Sequence, residues 1–382
     1  MNDSPAASES GLGSATANQW IATVLAGGRP QQLPEAAVRP IVDCAETQGV
    51  AALLYQQLAG HPGAGAASEV ARALAPLHAR AIALEMLRRE ESRRVLAALA
   101  QADLPVLVLK GAALAQWAYP ATYLRARDDL DLLFADRRAA EQARQILLRL
   151  GYVGEAPAAN GPQYELTMIR PQAVGPDWHV DVHWRMSPHP VFAECFEFSE
   201  LLAASVVLPE GGRGLGKVHA LLHAAIHRVS NLLIGQGDRL VWLFDLHLIA
   251  RQLEADDWAQ LSSLAESRRL AGALLAAMQA SQRFFGTAWP PEFVASLQDW
   301  ADAEVFKVDR AHLRGYFEWE TLRTLSLGAR VALVWRKLIP DRRYMAERYR
   351  LQHGWQLPMA YLRRWMEGLR ILGAWWRKRP PT

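Results

Sequence analysis

From Ala67 to Asp103, Leu74, Leu77, Leu84, Leu87, Val95 and Leu99 recur at spacings of three to four residues and their multiples, with Arg and Glu between them. That is the apolar stripe of one long amphipathic helix. Upstream, Gln19 to Gly60 carries shorter helical patterns, broken at Pro30, Pro34 and Pro40. At Leu104 the texture changes. Leu104-Pro-Val-Leu-Val-Leu109 is a short apolar run ending in Lys110-Gly111, which predicts a buried strand and a turn. Ala112 to Tyr119 has room for one or two helical turns. Leu130 to Phe134 predicts a second strand, and Asp136 to Leu150 an amphipathic helix with an acidic cap that Gly151 ends. Tyr164 to Arg170 and Trp178 to Arg185 predict two more strands, joined by a Pro/Gly turn. From Lys217 the pattern is helical again, over Val218 to Ser230, Leu240 to Leu253, Asp257 to Phe285 and Pro291 to Ala301.

This order predicts an α+β chain, a small mixed sheet between two helical regions. The expected segments are a disordered leader at 1–18, an N-terminal helical region at 19–103, an α/β core at 104–210 and a C-terminal helical domain at 211–382. The leader is rich in Ser, Ala and Gly and lacks the basic and apolar regions of a secretory signal. No stretch approaches the ~18 uncharged apolar residues of a membrane span. Two cysteines, Cys44 and Cys195, make neither a disulfide framework nor a zinc-ribbon spacing, so a reducing, cytoplasmic setting is expected. The 42 basic and 39 acidic residues leave a net charge of +3. That balance argues against a dedicated nucleic-acid binder. Nearly every basic residue is Arg, so Lys110, one of five lysines, stands out. The stretch from Tyr361 to Arg379 is basic and carries Trp365, Trp375 and Trp376. It predicts an amphipathic packing helix with the composition for peripheral contact with anionic lipid.

The sharpest chemical feature is Arg127-Asp-Asp-Leu-Asp-Leu-Leu-Phe134. Asp129 and Asp131 stand two apart at a strand start, and alternation puts both on one face. Carboxylates so close repel unless a cation lies between them, and oxygen ligands suit Mg²⁺. Lys110-Gly111 sits at the strand-to-helix turn just upstream, where a glycine lets backbone approach a phosphate and a lysine adds a point charge. Arg125 and Arg127 flank the acidic pair. Asp181, within His179-Val-Asp-Val-His183, is a third carboxylate if its strand pairs beside that of Asp129.

With Lys110-Gly111, Arg127-x-Asp129-Leu-Asp131-Leu-Leu and Asp181-Val-His-Trp184, the chain resembles the bacterial uncharacterised nucleotidyltransferase family. That family is a branch of the polymerase-β-like nucleotidyltransferase superfamily. Leu221-Leu-His-Ala-Ala-Ile-His227, Leu240 to Asp245 and Asp257-Trp258 are similar to the helical region that follows the core there. The resemblance implies an enzyme that moves an NMP group from an NTP to a hydroxyl of a small-molecule, peptide or protein acceptor, with Mg²⁺ or Mn²⁺. It implies Asp129, Asp131 and Asp181 as catalytic and metal-binding carboxylates. Lys110, Gly111 and Arg127 would bind nucleotide, and His183 would either position the acceptor or pack as a strand histidine. Ala112 stands where superfamily members carry Ser or Gly, and Lys110 would compensate.

Three other readings remain in view. Gly211-Gly-Arg-Gly-Leu-Gly216-Lys217 matches a P-loop pattern, with Val218 in place of the metal-binding Ser or Thr. His219, His223 and His227 fall on one helix face without an H-E-x-x-H motif. A nucleotidyltransferase core that has lost activity and serves as an interaction protein is the non-enzymatic alternative.

Overall fold

The computed structural model describes residues 13–29, 32–60, 65–154, 164–304, 306–310, 322, 327–340, 342–349, 351 and 353–377. The chain divides into two compact units at the junction of Asp309 and Arg310. Most of the leader expected at 1–18 lies outside the described residues, and helix α1 (Ser14–Leu25) begins within it.

In the first unit, α2 (Val38–Thr47) and α3 (Ala51–Gly60) follow α1 and pack on α4 (Ala66–Gln101), the long helix of the periodic stretch. Pro40 sits within the first turn of α2, where a missing N–H costs little. A mixed sheet of six strands follows: β1 (Leu107–Val108), β2 (Asp129–Leu133), β3 (Glu165–Arg170), β4 (Trp178–His183), β5 (Val206–Val207) and β6 (Arg213–Gly214). Their spatial order is β3-β4-β2-β1-β6-β5. The chain is thus α+β, with helices on either side of the sheet in sequence.

Helix α5 (Lys110–Trp117) leaves β1 directly. Helix α6 (Arg137–Arg149) links β2 towards β3, and the Asp136 side chain caps it by accepting the Ala139 N–H at 2.8 Å. Short helices α7 (Pro190–Ala193) and α8 (Phe198–Ala203) precede the β5–β6 hairpin. Then come α9 (Lys217–Leu233), α10 (Leu240–Ala250), α11 (Ala255–Ser267), α12 (Ala271–Phe285) and α13 (Pro291–Ala303). The single helix expected over 257–285 is in fact two. Arg269 adopts a left-handed φ of 56° between them, and the Leu270 N–H closes back on the Ala265 carbonyl at 2.9 Å.

One face of the sheet is apolar. Leu130 and Leu132 of β2, Val180 and Val182 of β4, and Leu166 and Met168 of β3 pack with Val95 and Leu99 of α4 and with Ala140, Ala143, Ile146 and Leu147 of α6. Alternation therefore sends the intervening residues to the opposite face. The second unit contains α14 (Leu327–Leu338), α15 (Arg342–Tyr349) and α16 (Leu357–Arg377). Within it the Trp365 indole N–H donates to the Leu338 carbonyl at 2.6 Å and the Tyr349 hydroxyl to Glu367 at 2.9 Å.

Leu132 is fully buried in the middle of β2. Leu132→Ala should cost about 2–5 kcal/mol in denaturant unfolding, whereas a loss below about 1 kcal/mol would mean that this face is not the core.

Candidate active site

Strand register builds the site. β2 and β4 run parallel, with Asp129 opposite His179, Asp131 opposite Asp181 and Leu133 opposite His183. β3 runs antiparallel to β4, with Thr167 opposite Asp181 and Glu165 opposite His183. Residues opposite one another share a face. The face away from the core therefore gathers Asp129, Asp131, Asp181, His183, Glu165 and Thr167.

Asp131 is the centre of this group and is 2% exposed. Its Oδ1 accepts from the Lys110 ammonium at 2.5 Å and from His183 Nε2 at 2.8 Å. His183 Nδ1 lies 3.0 Å from Glu165 Oε2. The Asp131 carbonyl also takes the Leu109 N–H at 2.9 Å, so strand and turn are tied by main chain as well as side chain. Lys110 has a left-handed φ of 48°, a strained choice for a residue with a Cβ. It buys the short reach of the ammonium to Asp131.

The charges follow from these contacts. Burial alone would raise Asp131, but Lys110 and His183 outweigh it and hold the carboxyl far below the usual range. Burial alone would lower His183, but its bonds to Asp131 and Glu165 raise it to about 9, so the ring is an imidazolium at neutral pH. Among the described residues Asp129 has no such hydrogen-bonded cation. Burial and the neighbouring Asp131 charge push it up to about 6. Burial also raises Asp181, against the Thr167 hydroxyl that donates to it at 2.7 Å.

The arginines divide by partner. Arg125 is buried and donates to both oxygens of Asp245 on α10, at 2.7 and 2.6 Å, and the Tyr119 hydroxyl joins the same carboxylate at 2.6 Å. Arg127 makes a buried pair with Glu85 of α4, at 3.1 and 3.2 Å. Its guanidinium is therefore committed to tying α4 to the entry of β2. Gly111 lies against Arg125, and a Cβ there would come within 3.0 Å of Arg125 Nη1.

Arg239 differs. Its Nη2 donates to the Thr47 carbonyl at 3.2 Å and its plane lies 5.5 Å from the centre of the Trp242 ring. Its Nε is buried without a hydrogen-bond partner, and among the described residues no carboxylate pairs with it. Gly49, at φ +71°, leaves room for the guanidinium, since a Cβ there would lie 3.1 Å from Nη2.

A cavity of about 190 Å³ lies beside these groups. Lys110, Gly111, Asp129 and Asp131 line it from the sheet side, and His223, His227, Trp242 and Arg239 from the helical side. Burial keeps the His223 ring neutral, lowered to about 3, and also holds His227 well below its ordinary value. His219 points elsewhere, packing edge-on against Phe196 at 5.2 Å. Among the described residues, Asp131, Asp181 and His183 form the one cluster whose ligand atoms all lie within 4.8 Å of one another. Two carboxylates and an imidazole are a donor set that fits a divalent cation. The crowding that raises Asp129 and Asp181 is what such a cation would relieve.

The expected residues thus fall as follows. Asp129, Asp131, Asp181 and His183 share one sheet face, and Lys110 and Gly111 adjoin it. Glu165, Thr167 and Arg239 were not anticipated. The alternation of Glu165 and Thr167 in the strand pattern could have found the first two, while nothing local marks Arg239. The P-loop reading is corrected. Lys217 Nζ lies 3.4 Å from Asp257 and 3.6 Å from Glu254, Gly211 and Gly212 turn the β5–β6 hairpin, and Leu240 to Asp245 is helix rather than a metal-binding strand.

The model of a family described as uncharacterised nucleotidyltransferase matches residues 34–286, well over half of the chain. No curated protein matches.

Two outcomes test this geometry. The stability that His183 draws from its partners is complete below its unfolded value of 6.5 and fades as pH rises through about 9. In nitrogen-15 NMR of metal-free protein the ring should therefore titrate near 9, and an ordinary value would break the Asp131 pairing. Gly111→Ala should destabilise by about 1–3 kcal/mol by displacing Arg125, read in thermal unfolding.

Proposed function

This chain belongs to the uncharacterised nucleotidyltransferase family, and from that premise we propose that it is a metal-dependent enzyme moving the NMP group of an NTP to an acceptor hydroxyl. The acceptor is a small molecule, a peptide or a protein, and the cofactor is Mg²⁺ or Mn²⁺. The observation that carries the reading is the in-register pairing of Asp131 with Asp181, beside His183 and at the edge of a cleft.

Asp131 and Asp181 would hold the ion, with Asp129 next along the strand, and His183 would join them on giving up the proton it shares with Asp131. Bound there, the ion would neutralise the triphosphate and acidify the acceptor hydroxyl. The rest is the work of the chain's own side chains. The acceptor oxygen forms a bond to the α-phosphorus as the α–β anhydride bond breaks and pyrophosphate leaves. Asp181, beside Asp131 on the same sheet face, is placed to take the acceptor proton. Lys110 and Gly111 frame the phosphates at the start of α5, and Lys110 supplies the charge that Ala112 cannot supply through a hydroxyl. Arg239, without a carboxylate of its own, faces the charge of the polyphosphate. Arg127 acts through position, by fixing the entry of β2. Trp242, His223 and His227 offer the aromatic and neutral surface on which a base or acceptor would rest.

One observation favours a second reading, an inactive binding protein: the Lys110 ammonium already balances Asp131. The two readings part on pyrophosphate release from NTP.

In a screen of the four α-labelled NTPs with candidate acceptors, the wild type should transfer label and release pyrophosphate. Asp129→Asn with Asp131→Asn should lower the rate by about 10³-fold or more. Equal rates in both proteins would remove the reading, and NTP binding without release would leave the inactive binder. Arg239→Ala should raise the KM for NTP by about tenfold while leaving label transfer detectable; an unchanged KM would take Arg239 out of the nucleotide site.

A further inference from the structure

The junction at Asp309 and Arg310 is also a boundary in charge. Residues 310–382 hold sixteen of the 42 Lys and Arg but five of the 39 Asp and Glu, a net +11 in a chain whose total is +3. The preceding residues are correspondingly acidic. Six of the 14 tryptophans also fall in this last segment.

Its helices leave apolar stripes in the open. On α14, Leu327, Val331, Val334 and Leu338 recur at three- to four-residue steps with Trp335 beside them, and each is 43–76% exposed. On α16, Met359, Leu362, Met366 and Leu369 do the same at 49–70% exposed, with Trp365 beside them. Arg363 and Arg370 line one edge of that stripe on the helical wheel. Folded chains rarely leave such contiguous apolar surface uncovered unless it meets something. No helix among the described residues is long and apolar enough to cross a membrane.

We propose that this second unit is a docking surface for an anionic membrane leaflet. The stripes would enter the boundary between headgroups and acyl chains, Trp would sit at that boundary, and the arginines would meet lipid phosphates. Charge selects the partner. An excess of eleven positive charges is complementary to anionic lipid and has no counterpart on a neutral bilayer. The aliphatic stripes decide between lipid and nucleic acid. A duplex offers its phosphates to the arginines but little to exposed Leu, Val and Met. The proposal is independent of the nucleotide chemistry.

The test uses the full chain with phosphatidylcholine vesicles, with and without about a third phosphatidylglycerol. Sedimentation should show at least tenfold stronger binding to the anionic vesicles, falling sharply in ~0.5 M salt. The variant carrying Met359→Gln, Leu362→Gln and Met366→Gln should lose about tenfold or more, as should Arg363→Glu with Arg370→Glu. Circular dichroism melts report whether each remains folded, and the charge variant still decides if the stripe variant does not fold. Equal binding to both vesicle types would overturn the proposal. So would full binding by both folded variants, or tighter binding to duplex DNA than to vesicles. Dimerisation through the α16 stripe with no vesicle binding would assign the surface to a second copy instead.

Discussion

A carboxylate that is 2% exposed has to be answered by positive charge, and the site is arranged around the answer given to Asp131. Lys110 and His183 converge on one of its oxygens. To deliver the ammonium, the chain accepts a left-handed residue where β1 becomes α5. To deliver the imidazolium, β4 must lie beside β2 in the register that also places Asp181 next to Asp131. His183 then requires its own acceptor, and Glu165 on β3 supplies it. One buried charge thus constrains a turn, two strand pairings and three ionisable partners. It leaves Asp129 and Asp181 crowded, with raised pKa values, beside it.

Further buried pairs carry this order outward. Arg125 with Asp245 and Tyr119 joins the turn before β2 to α10, and Arg127 with Glu85 joins the entry of β2 to α4. Such pairs are weak evidence of net stability, because desolvation offsets much of the attraction. Their consequence is placement. Each is strict about geometry, so the helices on both sides of the carboxylates are fixed relative to the sheet. Arg239, held by the Thr47 carbonyl at the end of α2 and laid over Trp242, is positioned by the same framework, and among the described residues no carboxylate pairs with it. A cleft with crowded carboxylates on one wall and an uncompensated guanidinium on the other suits a ligand that brings both a cation and anionic oxygens.

What could be read in the sequence was local. The period of α4, the cap at Asp136 and the alternation that put Asp129 and Asp131 on one face all come from neighbours in the chain. The α+β class followed from the same patterns. The dependence of Asp181 on strand pairing could be stated but not decided, because register is a long-range property. For the same reason nothing near Arg127 announced Glu85, and nothing near Arg239 announced Thr47 and Gly49, nearly two hundred residues away. The β5–β6 hairpin was hidden because strands of two residues leave no period, and its glycines mimicked a phosphate loop. The break at Arg269 was hidden because an arginine in a left-handed conformation carries no compositional mark.

The central claim is that Asp131 anchors a divalent cation beside bound nucleotide, in exchange for the Lys110 ammonium and the His183 proton. Electron paramagnetic resonance tests it most directly, by following the loss of free Mn²⁺ as protein is added with a non-hydrolysable NTP. The wild type should retain the ion, and Asp131→Asn should weaken retention by about tenfold or more. Retention of Mn²⁺ by Asp131→Asn as tightly as by the wild type would contradict the account.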